Sequence, residues 1–151
     1  MEIKKLEAKD IEPTVELWYK VSVTAHPFVP AAYWRNNKEA MATIYLPTSE
    51  TYVSIEDDKI VGFIAMAENY LAALFVDNKL QGKGIGKTLL NFIKGKRTVI
   101  HLKVFKKNIK SIEFYQSQCF NIVSENKDKE TGELEFLMEW RKNPAHTGVT
   151  L

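Results

Sequence analysis

Apolar residues recur along the chain with two different periods, and the places where the period changes divide it into elements. Residues 3–6 read as a short first strand. Val15, Trp18 and Val21 then fall at spacings of three, which predicts a helix over residues 11–23 with Asp10 at its N-cap and Pro13 confined to the first turn. His26-Pro27-Phe28-Val29-Pro30 interrupts that helix, and residues 31–45 read as a second, less regular one. Beyond Pro47 the pattern is strand-like. Strands are predicted over residues 52–55, 60–67 and 70–76, separated by the turn Glu56-Asp57-Asp58-Lys59 and the polar break Glu68-Asn69. Three strands in quick succession favour an antiparallel meander over repeated strand-helix-strand units. A helix over residues 88–93 that Gly95 ends, a strand over 99–105 and a helix over 111–118 follow. Strands over 120–124 and 134–140 flank the polar turn 127–132, and residues 143–151 carry neither period, which predicts a flexible tail.

Composition narrows the class. A chain of 151 residues with 45% hydrophobic and 26% charged residues suits one globular domain, expected over residues 1–142. A formal net charge of +2 gives no sign of bulk binding to nucleic acid. The apolar runs are too short to cross a bilayer, and the amino terminus lacks the apolar core of a signal peptide. One cysteine, Cys119, excludes an internal disulfide framework, and His26, His101 and His146 sit far from any cluster of potential metal ligands. The expectation is a cytoplasmic protein with no metal, no membrane partner and no nucleic-acid partner; a homodimer is compatible with the sequence.

The segment with the most chemical content is Gln81-Gly82-Lys83-Gly84-Ile85-Gly86-Lys87, lying between an apolar strand and a helix. Glycines at such a junction let a phosphate approach main-chain amides. A P-loop needs four residues between its first glycine and Gly-Lys-Thr, but Gly82 and Gly86 have three between them. A dinucleotide fingerprint needs a different glycine spacing, placed after the first strand of a βαβ unit. A purely structural turn with three glycines would carry a large entropic cost.

Gln81-x-x-Gly84-x-Gly86 in this context resembles the acetyl-coenzyme A pyrophosphate loop of the GNAT superfamily, the GCN5-related N-acetyltransferases. Gly62-Phe63-Ile64 and Ala73-Leu74-Phe75-Val76-Asp77 are similar to that family's third and fourth strands. Asn108-x-x-Ser111-x-x-Phe114-Tyr115-x-x-x-x-Phe120 resembles its later motif, with Cys119 standing where the family has glycine, a change that questions the turn before Phe120. Within the family the pattern is similar to small bacterial acetyltransferases of the YjaB type. The resemblance implies an α+β single-domain fold, a mixed central β-sheet flanked by α-helices, with strands four and five splayed. It implies acetyl-CoA as cosubstrate, held by Leu74, Phe75 and Val76 of the fourth strand, by Gln81, Gly82, Lys83, Gly84, Ile85, Gly86 and Lys87, and by Asn108 and Ser111. Asn108 and Ser111 are equally suited to the cap and first turn of the helix that follows.

The resemblance further implies acetyl transfer to a primary amine by direct attack, with Tyr115 as the general acid facing the sulfur. A small molecule or a peptide could supply the amine. Another acyl-CoA as donor, or a CoA-binding module without catalysis, are the alternatives. For the general base, Glu68 and His26 are the candidates. Glu68 could equally be a solvated hairpin carboxylate, and His26 a loop or packing residue. Phe28, Tyr33 and Trp34 could line an acceptor pocket or seal the helix layer against the sheet. Cys119 as a nucleophile is rejected, since no histidine is near it in sequence and direct transfer needs no acyl-enzyme.

Overall fold

The computed structural model of the protein describes residues 1–142, so the predicted tail over 143–151 lies outside the described residues. The chain divides into two compact units, with the boundary between Leu90 and Asn91. The first contains strands β1 (Glu2–Lys5), β2 (Glu50–Glu56), β3 (Lys59–Ala67) and β4 (Tyr70–Val76), paired antiparallel in that order. Lys5 pairs with Tyr52, Val53 with Phe63 and Ile64 with Leu74. The predicted meander is therefore present, with β1 added to it. β3 is buried from Val61 to Met66, as a strand flanked on both edges and covered by helix should be.

Local chemistry explains the turns. Asp57 and Asp58 both take left-handed backbone, at φ 52° and 61°, which a two-residue hairpin between right-twisted strands requires. Gly62 is fixed by packing. A Cβ there would lie 2.9 Å from Ser54 Oγ and 3.0 Å from the Phe75 carbonyl oxygen.

Helix α1 (Ile11–Ala25) buries Val15, Trp18 and Val21, the predicted face, together with Leu17, and lies against β3 and β4. Asp10 differs from expectation. Its carboxylate makes no capping bond to α1 but accepts the Glu7 amide at 3.0 Å, closing the 3₁₀ turn Ala8–Asp10 that precedes the helix. The second helical stretch is broken, as its weak periodicity suggests. It runs as α2 (Ala31–Asn36), α3 (Lys38–Ala40), a π turn (Met41–Tyr45) and α4 (Leu46–Thr48). Pro47 lacks an amide to continue the ladder. Thr43, Thr48 and Ser49 hydroxyls donate to carbonyls four residues back, a pattern that bends helices.

Helix α5 (Ile85–Lys94) begins three residues before the prediction, and the Gly95 amide closes on Asn91 O at 3.1 Å. The second unit, from Asn91 on, holds β5 (Val99–Phe105), α6 (Ile109–Ser117), β6 (Asn121–Lys127) and β7 (Leu134–Arg141). β7 lies between β5 and β6, antiparallel to both, and its Met138 is fully buried opposite Leu102 and Ile122.

Candidate active site

The glycine loop is built from the end of β4. The Asp77 amide donates to Val61 O of β3 at 2.8 Å, and its carboxylate accepts the Lys79 amide at 2.9 Å. This folds Asn78–Leu80 into one 3₁₀ turn. The Gln81 side-chain amide then reaches back to Val76 O at 3.1 Å and Asn78 Oδ1 at 3.3 Å, tying the loop to the strand it leaves. Gly82 and Gly84 take φ of +83° and +88°, where a side chain would be strained, and a Cβ on either would meet no atom within 4 Å. Both glycines are thus required by conformation and present bare backbone on an exposed face. Gly86 differs: it lies inside the first turn of α5 and its φ is not positive.

Gly84 occupies the position just before α5. Its carbonyl accepts the Thr88 amide at 3.0 Å and the Thr88 hydroxyl at 2.8 Å. Having no side chain, it cannot cap the amides of Ile85, Gly86 and Lys87 as serine or aspartate would. Those first-turn donors, the positive end of the helix dipole and the exposed Lys83 and Lys87 make a cradle suited to a pyrophosphate. The residues present fit the group. Leu74, Phe75 and Val76 lead into the loop half-buried, with Phe75 stacked on Phe63 at 5.5 Å. Asp77 and Thr88 were not singled out from sequence, although an aspartate two residues before a turn amide is a legible signal.

In the second unit, Asn108 caps α6. Its side-chain oxygen accepts the Ser111 amide at 3.2 Å, and its carbonyl accepts the Ile112 amide at 3.1 Å. Of the two roles open to these residues, the cap is the one the hydrogen bonds display. Tyr115 is buried, with its ring edge-on to Phe114 at 5.2 Å and Phe120 at 5.5 Å. The substitution of Cys119 for glycine leaves the turn intact. Cys119 takes φ 71°, its amide donates to Gln116 O at 3.1 Å, and the Phe120 amide donates to Tyr115 O at 3.0 Å. These two bonds, with the Tyr115–Phe120 ring contact, form a Schellman closure that holds Tyr115.

The two base candidates have different surroundings. Glu68 is exposed at the tip of the β3–β4 hairpin, at φ 56°. It lies beyond the end of β4 opposite the glycine loop, a strand length of about 20 Å away. His26 is buried among aromatic rings. Its ring lies 5.2 Å from Trp34 and 5.7 Å from Phe28. Burial pushes its pKa down to about 4, against a smaller upward pull from a hydrogen bond to the Ser22 backbone. The near-neutral proton affinity that recommended it is lost, and its place is in an aromatic cluster with Trp18 and Trp34. Trp34 is buried and seals that cluster, while Phe28 and Tyr33 stay partly exposed.

The same burial predicts an acid-side loss of stability. Unfolded, the imidazole takes a proton near 6.5; folded, it resists until about 4. Between those values the unfolded chain binds more protons, so this contribution is full above pH 6.5 and shrinks as pH falls toward 4, by up to about 3 kcal/mol. Urea melts of wild type and His26→Phe at pH 7 and pH 4.5 check this: the wild type should lose more stability on acidification than the variant. Equal losses would contradict it.

Among the described residues, no group of three or more His, Cys, Asp or Glu is placed to hold a metal ion, and no helix is long and apolar enough to cross a membrane.

An exposed glycine loop at the mouth of α5 and a tyrosine held by the turn that ends α6 are the two features of chemical interest, and comparison with known proteins gives the class. Residues 17–142 match the family model described as acetyltransferase (GNAT) domain, and the chain belongs to the GNAT acetyltransferases. It is 34% identical over 139 residues to the peptidyl-lysine N-acetyltransferase YiaC of Escherichia coli, covering 91% of this chain and 95% of that one. The solution structure of apo YjaB from Escherichia coli shares the fold, with a TM-score of 0.80 and 20% identity over 91% of this chain and 95% of that one. So does yncA of Salmonella typhimurium, solved with its cofactor acetyl-CoA, with a TM-score of 0.67 and 16% identity over 93% of each chain. The single-domain mixed α/β GNAT fold and the class of acetyl-CoA-dependent N-acetyltransferase follow.

Proposed function

We propose that this protein transfers acetyl from acetyl-CoA directly to the ε-amine of a lysine in a peptide or protein. The likeness to YiaC over nearly the whole of both chains carries the acceptor class. Bound acetyl-CoA supplies the acetyl thioester. The amides of residues 82–87 hold its pyrophosphate, and Gln81 keeps the loop in place through Val76 O. The main chain of Leu74 to Val76 binds the pantetheine arm. Asn108 and Ser111 support donor binding through the start of α6, which they cap and open.

Tyr115 gives its phenolic proton to the departing sulfur as the amine's nitrogen forms the new amide bond. The amine must shed its own proton, and the exposed Glu68, directly or through water, accepts it; His26 takes no part. Direct attack needs no nucleophile on the enzyme, which leaves Cys119 without a chemical role.

An amine panel read by free-thiol release tests the acceptor. A peptide blocked at its α-amine and carrying one lysine should release thiol at a rate that saturates with peptide. Release only with free α-amines or small polyamines would overturn the lysine assignment. A saturable release that favours a longer acyl-CoA would favour the alternative donor.

A further inference from the structure

We propose that Lys94 is a positioning residue that sets the phenol of Tyr115, an assignment that rests on Tyr115 acting as the general acid. Lys94 is the last residue of α5 and is half-buried. Its ammonium donates to the Gln118 carbonyl at 2.6 Å. The same nitrogen lies 5.2 Å from the centre of the Trp140 ring and 5.7 Å from that of Phe120. Gln118 is the C-cap of α6, where carbonyls lack helical amides to bond and the helix dipole presents its negative end. A charge-assisted bond to such a carbonyl is stronger than a neutral one.

From that anchor the next two residues complete the turn that holds Tyr115. Cys119 sits in left-handed backbone at φ 71°, a conformation that disfavours a side chain. With glycine the turn would close without that cost. Here the Lys94 bond to Gln118 and its contact with Phe120 offset it. Phe120 returns its amide to Tyr115 O and its ring to the Tyr115 ring, so the main chain and side chain of Tyr115 are both fixed by groups that Lys94 touches. Releasing Lys94 leaves the phenol in place on average but less well aimed, and misplacement of a proton donor lowers kcat rather than substrate binding.

A double-mutant cycle tests this. Lys94→Met keeps the apolar stem and removes the donor and charge. It should lower kcat about tenfold with KM for acetyl-CoA within about twofold of wild type. Lys94→Arg, which keeps a donor and a cation, should retain most of kcat. Adding Lys94→Met to Tyr115→Phe should cost nothing further, because the group being aimed is gone. Cys119→Gly should restore kcat to Lys94→Met. Lys94→Gln serves in the same cycle should Lys94→Met not fold. A wild-type kcat in the folded single variant, or a full additional loss on top of Tyr115→Phe, overturns the assignment of Lys94 alone. A wild-type kcat in Tyr115→Phe overturns the general acid and this assignment with it.

Discussion

Tyr115→Phe lowers kcat for acetyl transfer by about two orders of magnitude and leaves the acetyl-CoA dissociation constant within about twofold of wild type. The substitution deletes one oxygen and keeps the ring, so the edge contacts with Phe114 and Phe120 persist and α6 keeps its closure. On the role proposed for Tyr115, what disappears is the proton for the departing thiolate. Single-turnover measurements across pH separate this from slow product release. An unchanged chemical rate across the range would remove Tyr115 from the chemistry.

Gly84→Val raises the dissociation constant for acetyl-CoA by roughly tenfold or more, which is about 1.4 kcal/mol or more of binding. Two effects act together. A β-branched residue resists φ of +88°, so the loop distorts before any ligand arrives. A side chain at the mouth of α5 also stands where a phosphate would meet the main-chain amides. The space around a Cβ at this position is open, so the variant meets no packing clash and the fold should survive. Once saturated with acetyl-CoA it should turn over at close to the wild-type rate, because Gly84 carries no group that moves a proton. Calorimetric titration of the folded variant measures this; wild-type affinity would place the pyrophosphate elsewhere.

Much of the fold was legible because polar breaks bound the apolar runs. Residues 70–76 and 99–105 were predicted at their observed limits as β4 and β5, since Glu68-Asn69 marks the start of the first and Lys106-Lys107-Asn108 the end of the second. The place of the glycine loop was legible for a related reason: three glycines close together mark a strand-to-helix junction, and two of them take positive φ there. Features decided by tertiary surroundings were not. Asp10 precedes a helix and looks like its cap, yet a 3₁₀ turn just upstream claims its carboxylate. His26 carries an intrinsic proton affinity suited to catalysis, but only the packing of Trp34 and Phe28 shows that burial removes it. Cys119 at a glycine position gives no hint in sequence that its backbone still adopts φ 71°. Lys94 gives no signal in the sequence, because a lysine at a helix end is ordinary and its partners Gln118, Phe120 and Trp140 lie far along the chain.

The fate of the acetyl group tests the central claim most directly. A lysine peptide blocked at its α-amine, incubated with isotopically labelled acetyl-CoA and enzyme, is analysed by mass spectrometry alongside the enzyme itself. Direct transfer predicts label on the lysine ε-amine, one free thiol for each acetyl-lysine formed, and no labelled enzyme at any time. Label accumulating on Cys119 or another enzyme residue before it reaches the peptide would contradict direct attack, and label that never reaches lysine would contradict the proposed acceptor.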